Sequence, residues 1–435
     1  MSQRVPFLAN RVNYAWVVFA ATFIILLGAA GFRSTPAVLM VPLEQEFGWN
    51  RALVGSAVSV NLLFFGFTGP FAAAAMLRWG IRKVASVALA AVAIGALLTT
   101  QMAAPWQLIL LWGVVVGIGT GCMASILAAT VANRWFVKRR GMVLGLLTAA
   151  SATGQLIFLP LLAGLATSVG WRAVSITIGC AAIAVIPLAA IFLRDWPSDV
   201  GAVPYGALDT DPPMPKPTTN PIVTAFDALR MASHNRGFWL LSATFFICGL
   251  STNGLIGTHL IPASMDHGMA EVTAAGLLAV VGVFDVIGTT ISGWLTDRWD
   301  SRKLLAAYYG LRGLSLILLP MAFGSPRFGL ILFIIFYGLD WVATVPPTVS
   351  IASDMYGRQM GPVIYGWVFS AHQLGAAVAA TGAGVIREVT GDYLLAFLSA
   401  GLFCLLAAGL SMMIRRPGST DIDLVPIAAS PRLVR

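Results

Sequence analysis

The hydropathy of the chain alternates between long apolar runs and short charged turns. Each run is close to the length of about 20 residues that an α-helix needs to cross a bilayer. Six runs precede Arg194 and six follow Arg236. They lie at about 15–41, 53–76, 84–103, 106–132, 141–164, 171–193, 238–262, 273–296, 303–323, 328–353, 361–385 and 391–414. The pattern predicts an all-α polytopic membrane protein with twelve transmembrane helices in two six-helix repeats, numbered here as spans 1 to 12.

The two halves repeat one another with a constant offset of 220 residues. Matching pairs are Pro42 and Pro262, Gly48 and Gly268, Arg78 and Arg298, Lys83 and Lys303, and Gly141 and Gly361. Parallel repeats of this size are typical of two bundles that face each other across a central cavity. We therefore predict an amino-terminal bundle over 1–193, a proline-rich cytoplasmic linker over 194–236, a carboxy-terminal bundle over 237–416 and a cytoplasmic tail over 417–435.

Composition and charge support the membrane assignment and suggest an orientation. The chain is 58% hydrophobic and 10% charged, whereas soluble domains carry about 25% charged residues. The net charge of +9 does not indicate nucleic-acid binding, because the basic residues lie in short turns between apolar runs. The amino terminus, the even-numbered loops and the tail hold 21 of the 27 Lys and Arg residues. The positive-inside rule then predicts a multi-pass protein of the plasma (inner) membrane with both termini in the cytoplasm.

Four formal charges fall well within the predicted spans: Arg33, Asp285, Arg312 and Asp340. A charge at the centre of a bilayer costs about 2.5–3.5 kcal/mol, so each indicates either a buried pair or a functional site. Arg33 in span 1 is suited to hold an anion, because a guanidinium stays charged and grips a carboxylate with two hydrogen bonds. Asp285 in span 8 is suited to proton coupling, as is Asp340 in span 10. A structural pair between Arg312 and Asp340 is the alternative for span 10.

Uncharged polar residues within the spans are further candidates for the wall of the cavity. They are Asn253 and His259 in span 7, Ser125 in span 4, Gln155 in span 5, and His372 and Gln373 in span 11. Each is equally suited to an interhelical hydrogen bond. We find no nucleophile–base constellation, no cluster with metal-ligand spacing and no cofactor motif. The four cysteines lie in apolar runs, where they are expected to pack as small hydrophobic residues. The chain is therefore expected to be neither an enzyme nor a binder of metals or cofactors.

The turn between spans 8 and 9 carries a recognisable motif. Residues 293–303 read GWLTDRWDSRK and fill every position of G-x-x-x-D-R-x-[GD]-x-R-K. This turn resembles the loop signature of the major facilitator superfamily. The resemblance implies two bundles that rock about a central cavity and a conformational latch made of Gly293, Asp297, Arg298 and Arg302. The amino-terminal copy of the motif lacks the acid and the glycine, since Leu77 and Ala73 stand there.

Three further stretches narrow the resemblance. NYAWVVFAATF and GFRSTPAVLMVPLEQEFGW in span 1, and NRWFVKRRGMVLG after span 4, are similar to the monocarboxylate-porter and oxalate/formate-antiporter branch. In monocarboxylate porters a basic residue of span 1 and an aspartate of span 8 work in proton and anion transfer, and they match Arg33 and Asp285. The family pattern has an arginine four residues after that aspartate, where this chain has Thr289. The departure leaves Arg33 as the expected carboxylate anchor, and a different organic acid or a less charged solute is the alternative to a lactate-like substrate.

These observations predict proton-coupled uptake of a small organic anion, similar to a monocarboxylate, by alternating access in a monomer. Proton-driven efflux of drugs or other solutes is the alternative. Efflux proteins of this kind carry a Gly-x-x-x-Gly-Pro element in span 5, which GLLTAASATGQLIFLPLLAGL lacks. A membrane sensor that transports nothing is a more remote alternative, because the linker and tail are too short to form a soluble output domain.

Overall fold

The computed structural model describes residues 13–49, 51–208, 214–324 and 329–415, with the side chains of 33–38, 40, 41, 51, 52, 271 and 272 left out. Six helices precede the linker: α1 Tyr14–Phe47, α2 Arg51–Trp79, α3 Ile81–Thr99, α4 Pro105–Trp135, α5 Arg140–Ser168 and α6 Trp171–Phe192. α4 includes a π-helical stretch, Ile109–Val116, and a short turn at 123–124. All six are long and apolar enough to cross a bilayer.

The helices after the linker are α7 Arg236–Asp266, α8 Glu271–Thr296, α9 Ser301–Gly324, α10 and α11 within Ile331–Thr390, and α12 Leu394–Met412. The stretch Ile331–Thr390 is 60 residues long and reverses at Gly357, whose φ of 79° and ψ of 159° are not helical. Glycine adopts such a positive φ without strain. This stretch supplies two membrane crossings, α10 (331–356) and α11 (358–390). The prediction of an all-α fold with twelve membrane helices is confirmed.

A turn at 341–344 interrupts α10 in the middle of the apolar span. Its cause is visible in the sequence, because Pro346 and Pro347 follow at the first positions of the next helical segment. Proline has no N–H to donate, so the carbonyls four residues before each proline lose their helical partners. In the amino-terminal half, the turn of α4 at 123–124 lies 220 residues before 343–344.

The linker packs against both halves. Tyr205 exchanges backbone hydrogen bonds with the α4–α5 turn, where its carbonyl accepts from the Val137 amide at 2.9 Å. Further along, the linker helix Pro221–Ser233 lies against α2 and α11. Phe226 of this helix contacts the rings of Phe71 in α2 and Trp367 in α11, with centroid distances of 5.6 and 5.9 Å. The predicted linker thus contains a packed helix that bridges α2 and α11.

The two halves meet at the end of the molecule that carries the α2–α3, α4–α5, α8–α9 and α10–α11 turns, called here the basic end. α5 crosses α8 where Gly145 faces Gly293, and a Cβ on Gly145 would lie 2.7 Å from the Thr289 carbonyl oxygen. α2 crosses α11 where Gly366 faces Pro70, and a Cβ on Gly366 would overlap the proline nitrogen. These backbone contacts bring the two halves together at the basic end, which we describe as closed.

Candidate substrate and coupling site

Asp285 lies in α8 where this helix packs closely against α10. The two backbones approach so nearly that a Cβ on Gly288 would meet the Leu339 carbonyl oxygen. The Asp285 carboxylate is 3% exposed. Its Oδ1 accepts hydrogen bonds from the Thr289 hydroxyl at 2.8 Å and from the Val342 amide at 2.9 Å. Val342 belongs to the turn that interrupts α10. Asp285, the predicted proton-coupling residue, is therefore hydrogen-bonded to a backbone amide of that turn.

Thr289 occupies the position where the resemblance places an arginine. Residues four apart lie on the same face of a helix, and the threonine hydroxyl uses this spacing to donate to Asp285. Thr289 is itself fully buried. The spacing of four residues could be seen in the sequence. Only the structure shows that it produces a hydrogen bond between Thr289 and Asp285 where the family pattern has a carboxylate-binding arginine.

Arg312 and Asp340 form the predicted buried pair, which is confirmed. Arg312 is 0% exposed, and its Nε lies 2.6 Å from Oδ2 of Asp340. Its Nη1 donates to the sulfur of Cys248 in α7 at 3.0 Å and to the Ser251 hydroxyl at 3.4 Å. Cys248 therefore does more than pack as a small hydrophobic residue. The second carboxylate oxygen of Asp340 is buried without a hydrogen-bond partner among the described residues. The assignment of Asp340 to proton coupling stays a prediction.

Arg312→Ala is expected to destabilise the protein strongly. Removal of one partner from a buried ion pair leaves an uncompensated charge and costs about 3–5 kcal/mol. The variant should lower the thermal midpoint of the purified protein in detergent, and the double variant Arg312→Ala/Asp340→Ala should recover part of the loss. Arg387→Ala is the matched control, because Arg387 and Asp266 form an exposed pair of the kind that contributes about 0–1 kcal/mol. Equal midpoints for Arg312→Ala and the wild-type protein would contradict a structural role of the pair.

Two of the predicted uncharged residues come together between α7 and α11. The Asn253 amide nitrogen lies 3.4 Å from Nε2 of His372. The imidazole packs against Phe245, with ring centroids 4.7 Å apart, and stacks on Phe369 at 5.9 Å. Nδ1 of His372 is buried with no hydrogen-bond partner in the described part of the chain. Gln373, the next residue, is buried beside α2. This group offers an unused polar nitrogen in an aromatic setting at the joint of the two halves.

The remaining uncharged candidates are separated from that group. The Ser125 hydroxyl accepts a hydrogen bond from the Tyr365 hydroxyl at 2.9 Å and so joins α4 to α11. Gln155 in α5 is half-buried. His259 uses one ring nitrogen on the Ala380 carbonyl at 2.8 Å and the other on the Tyr393 hydroxyl at 3.3 Å. His259 therefore has a sufficient structural role near the far end of α11.

Arg33, the predicted anion anchor, lies in α1, but its side chain is outside the described residues. Its counterpart in the repeat is Asn253, which contacts His372. Because the two halves share one register, this places the backbone of Arg33 at the depth of the Asn253 group. Its role as the anchor stays a prediction.

Asp297, predicted as part of the latch, reaches across to the other half. Its two carboxylate oxygens accept from the amides of Gly141 at 2.6 Å and Met142 at 2.9 Å, at the first turn of α5. The first amides of a helix have no intrahelical partner and attract negative charge. Gly293, one turn earlier in α8, packs against Gly145. These two residues therefore join the two halves at the basic end, and their role as a latch stays a prediction.

Arg298 and Arg302, the other predicted latch residues, make their hydrogen bonds within the carboxy-terminal half. Arg298 donates to the Trp294 carbonyl at 3.1 Å. Arg302 donates to the Asp300 carboxylate through Nε at 3.0 Å and to the Ile414 carbonyl at 2.9 Å. Arg302 thus ties the α8–α9 turn to the end of α12. A latch role for these two arginines stays a prediction.

Two arginines outside the predicted set also join the halves at the basic end. Arg140 in α5 contacts Asp354 in α10, with Nη2 3.0 Å from Oδ1. Arg358, at the start of α11, donates to the carbonyls of Asn133 at 2.6 Å and Phe136 at 2.9 Å. Arg140 belongs to the VKRRG stretch, which was informative only about orientation and resemblance. Its partner is 214 residues away, so no sequence pattern links them.

The comparisons with known proteins agree with this architecture. A family model described as the Major Facilitator Superfamily matches residues 18–380. YcxA of Bacillus subtilis (strain 168), an uncharacterized MFS-type transporter, is 28% identical over 418 residues, which cover 92% of this chain and 94% of that protein. Human monocarboxylate transporter 11 is 25% identical over 400 residues, covering 89% of this chain and 80% of that protein.

Solved structures show the same fold at much lower sequence identity. The crystal structure of the Escherichia coli fucose:proton symporter FucP matches with a TM-score of 0.70 at 17% identity, covering 93% of this chain and 100% of that chain. The human organic anion transporter MFSD10 matches with a TM-score of 0.70 at 14% identity, covering 91% and 99%. The family model spans most of the chain, and these folds cover it almost completely. The chain belongs to the Major Facilitator Superfamily.

Proposed function

We propose that this transporter takes up a small organic anion, similar to a monocarboxylate, together with protons. The observation that carries the proposal is the buried carboxylate of Asp285 in α8. It accepts hydrogen bonds from Thr289 of the same helix and from the Val342 amide in the turn of α10. A buried carboxylate that gains and loses a proton changes both its charge and its hydrogen bonds. The relatives named monocarboxylate transporters support this substrate class.

In this proposal the two bundles, 1–193 and 237–416, rock about a central site. Arg33 attracts the carboxylate of the substrate, and Asp285 carries the proton, with Asp340 as a second candidate. The polar wall consists of Asn253, Ser125, Gln155, His372 and Gln373. Of these, His372 offers a buried nitrogen without a partner in the described residues, which suits a hydrogen bond to a substrate oxygen.

The proposed setting is the plasma (inner) membrane, with a monomer whose termini and linker are cytoplasmic. The basic loops favour this orientation. The basic end would then face the cytoplasm, and the contacts of Asp297 with the first turn of α5 would belong to the state that is closed to the cytoplasm. Opening of this end requires these contacts to separate.

The proposal is tested with purified protein in liposomes that contain a pH-sensitive dye. A panel of labelled carboxylates is offered under an inward-directed proton gradient, with empty liposomes as the control. We expect one or more small monocarboxylates to enter with internal acidification, and collapse of the gradient to stop their accumulation. Uptake of no carboxylate, with proton-driven movement of neutral or cationic solutes, would overturn the substrate class in favour of the efflux alternative.

Arg33→Ala is expected to raise the KM for the carboxylate, and Arg33→Lys is expected to recover part of the affinity. The guanidinium can bind a carboxylate with two parallel hydrogen bonds, whereas the lysine ammonium acts as a point charge. The measurement is initial uptake as a function of substrate concentration in liposomes. A KM for Arg33→Ala equal to that of the wild-type protein would remove Arg33 from the anchor role.

A further inference from the structure

In the turn at 341–344 of α10, some backbone N–H and C=O groups lack a hydrogen-bond partner within the helix. Side chains of α8 provide partners for two of these groups. The Val342 amide donates to Oδ1 of Asp285 at 2.9 Å. The Ala343 carbonyl accepts from the Ser292 hydroxyl at 2.5 Å. Asp285 and Ser292 lie seven residues apart on α8, which is two helical turns. One face of α8 therefore holds both a donor and an acceptor of the turn.

α9 and α7 supply the other partners. Nη2 of Arg312 donates to the carbonyls of Asp340 at 2.6 Å and Trp341 at 3.2 Å. The Thr344 hydroxyl lies 3.3 Å from the sulfur of Cys248. Backbone polar groups buried without a partner are costly, so this arrangement fixes the turn in one position. The turn is therefore held by side chains of three neighbouring helices.

Among the described residues, the corresponding turn in α4 is held by backbone hydrogen bonds and not by such a set of side chains. At 123–124 the Met123 amide donates to the Thr120 carbonyl and the Leu127 amide donates to the Ala124 carbonyl, each at 3.0 Å. In the part of the chain that the structure describes, no charged side chain is seen to hydrogen-bond to this turn. Both halves therefore contain a helix that is interrupted at the corresponding position, but the charged hydrogen-bond partners are seen at the turn of α10.

Beyond the turn, α10 continues to the contact between the halves. Ser350 and Asp354 both accept from Nη2 of Arg140 in α5, at 3.2 and 3.0 Å. The turn therefore lies on α10 between Asp285, which it contacts directly, and the closed basic end. A change in the position of the turn would be transmitted along 345–354 to this contact.

We infer that Ser292 and Arg312 are positioning residues for Asp285, which act by fixing the turn of α10 so that the Val342 amide meets the carboxylate. Hydrogen bonds to an ionised group are about twice as strong as those between neutral groups. A proton on Asp285 would weaken its hydrogen bond to the Val342 amide. The segment 345–354 of α10 would then be held less firmly, which would favour opening of the basic end. The inference rests on the proposed role of Asp285 in proton coupling.

The groups around Asp285 and Ser292 that carry or can change charge come from α7, α9 and α10, and Tyr308 of α9 contacts Ser292. Arg312 of α9 and Asp340 of α10 act on it electrostatically, and Cys248 of α7 contacts Arg312. The helical sequence of α5 after Arg140 contains no charged residue. Arg312 is already paired with Asp340. Protonation of Asp285 is therefore the charge change that acts directly on the turn of α10, through the hydrogen bond from the Val342 amide.

The test measures the distance between the halves at the basic end as a function of pH, without substrate. Spin labels are placed at Lys83 and Lys303, which are exposed and correspond in the repeat. The background carries Cys122→Ser and Cys180→Ser, while Cys248 and Cys404, which are buried, are retained. Double electron–electron resonance on protein in liposomes gives the fraction of molecules with the longer distance. In the wild-type background this fraction should rise on acidification.

Ser292→Ala should move the midpoint of this transition to higher pH by about one unit, the shift that a tenfold change in the opening equilibrium gives. Ser292→Thr, which restores the hydroxyl, should return the midpoint toward the wild-type value. Arg312→Lys, which retains the charge with fewer donors, should shift it in the same direction as Ser292→Ala. A midpoint unchanged by Ser292→Ala, or a wild-type distance that is independent of pH, would overturn the inference.

The outcomes for the inference and for the proposed function can be told apart. Proton-driven carboxylate uptake with an unmoved midpoint in Ser292→Ala would leave the proposed function standing and remove the positioning role. A midpoint that moves as expected in protein that transports no carboxylate would support the positioning role and remove the proposed substrate. Ser292→Ala deletes one hydroxyl, so its fold is checked by gel filtration before labelling.

Discussion

Asp285→Asn is expected to abolish proton-driven accumulation of substrate and to leave substrate exchange across the membrane active. The amide oxygen of asparagine can still accept from Thr289 and from the Val342 amide, but as a neutral acceptor it holds the turn of α10 more weakly than the carboxylate does, as the protonated carboxyl group would. The side chain can no longer take up a proton. A carrier in this state resembles the permanently protonated protein, which binds and moves substrate without a driving force from the proton gradient.

The measurement separates these two activities in the same liposomes. Uptake under an inward proton gradient should fall to the level of equilibration, while counterflow of labelled against unlabelled substrate should persist. Asp285→Glu, which retains a carboxylate, should keep a response to the gradient. Asp392→Asn is a matched control, because Asp392 is exposed and caps the first turn of α12 within one half. Accumulation by Asp285→Asn at the wild-type level would remove Asp285 from proton coupling.

The helices were predictable because the bilayer imposes a single length on them. Span 8 was expected at about 273–296, and α8 runs over Glu271–Thr296. Span 9 was expected at about 303–323, and α9 runs over Ser301–Gly324. An apolar run of this length is typical of a membrane-spanning helix and of little else. Hydropathy alone therefore gave the fold class, which depends only on the number and order of such runs.

Hydropathy did not predict where α10 and α11 meet or where α10 is interrupted. Spans 10 and 11 were expected to be separated by a loop at about 354–360, but the helical segments meet at Gly357. The reversal depends on a positive φ at one residue, which leaves no trace in an average over 20 residues. The turn at 341–344 could have been predicted from Pro346 and Pro347, since adjacent prolines interrupt a helix. The partners that hold it could not.

At the candidate site, charged residues were easier to predict than their partners. Asp285, Arg312 and Asp340 stand out because a charge in an apolar run is costly. The bond from Thr289 to Asp285 follows a helical spacing of four. The bonds from Ser292 to the Ala343 carbonyl and from the Val342 amide to Asp285 link residues more than 50 positions apart. They depend on how α8 and α10 pack, and one partner in each is a backbone group that every sequence contains.

Asp297→Ala is expected to shift the equilibrium of the empty transporter toward the state with an open basic end by roughly tenfold or more. Asp297 accepts from the Gly141 amide at 2.6 Å and the Met142 amide at 2.9 Å. Hydrogen bonds to a charged group contribute about 1.5–3 kcal/mol, and about 1.4 kcal/mol is a tenfold change in an equilibrium constant. Only the closed state can make this contact, because it joins α8 to the first turn of α5.

The distance between spin labels at Lys83 and Lys303 measures this shift, with Asp392→Ala as the control for loss of a capping aspartate. Asp392→Ala should leave the distance distribution unchanged, because the Asp392 carboxylate accepts from the Leu394 amide at the start of α12, within the same half. In liposomes, Asp297→Ala should alter the maximal rate of transport and leave the order of preference among carboxylates unchanged, since Asp297 bonds to the first turn of α5 at the basic end. A distance distribution equal to that of the wild-type protein would mean that the glycine contact between Gly145 and Gly293 closes the basic end without help from Asp297.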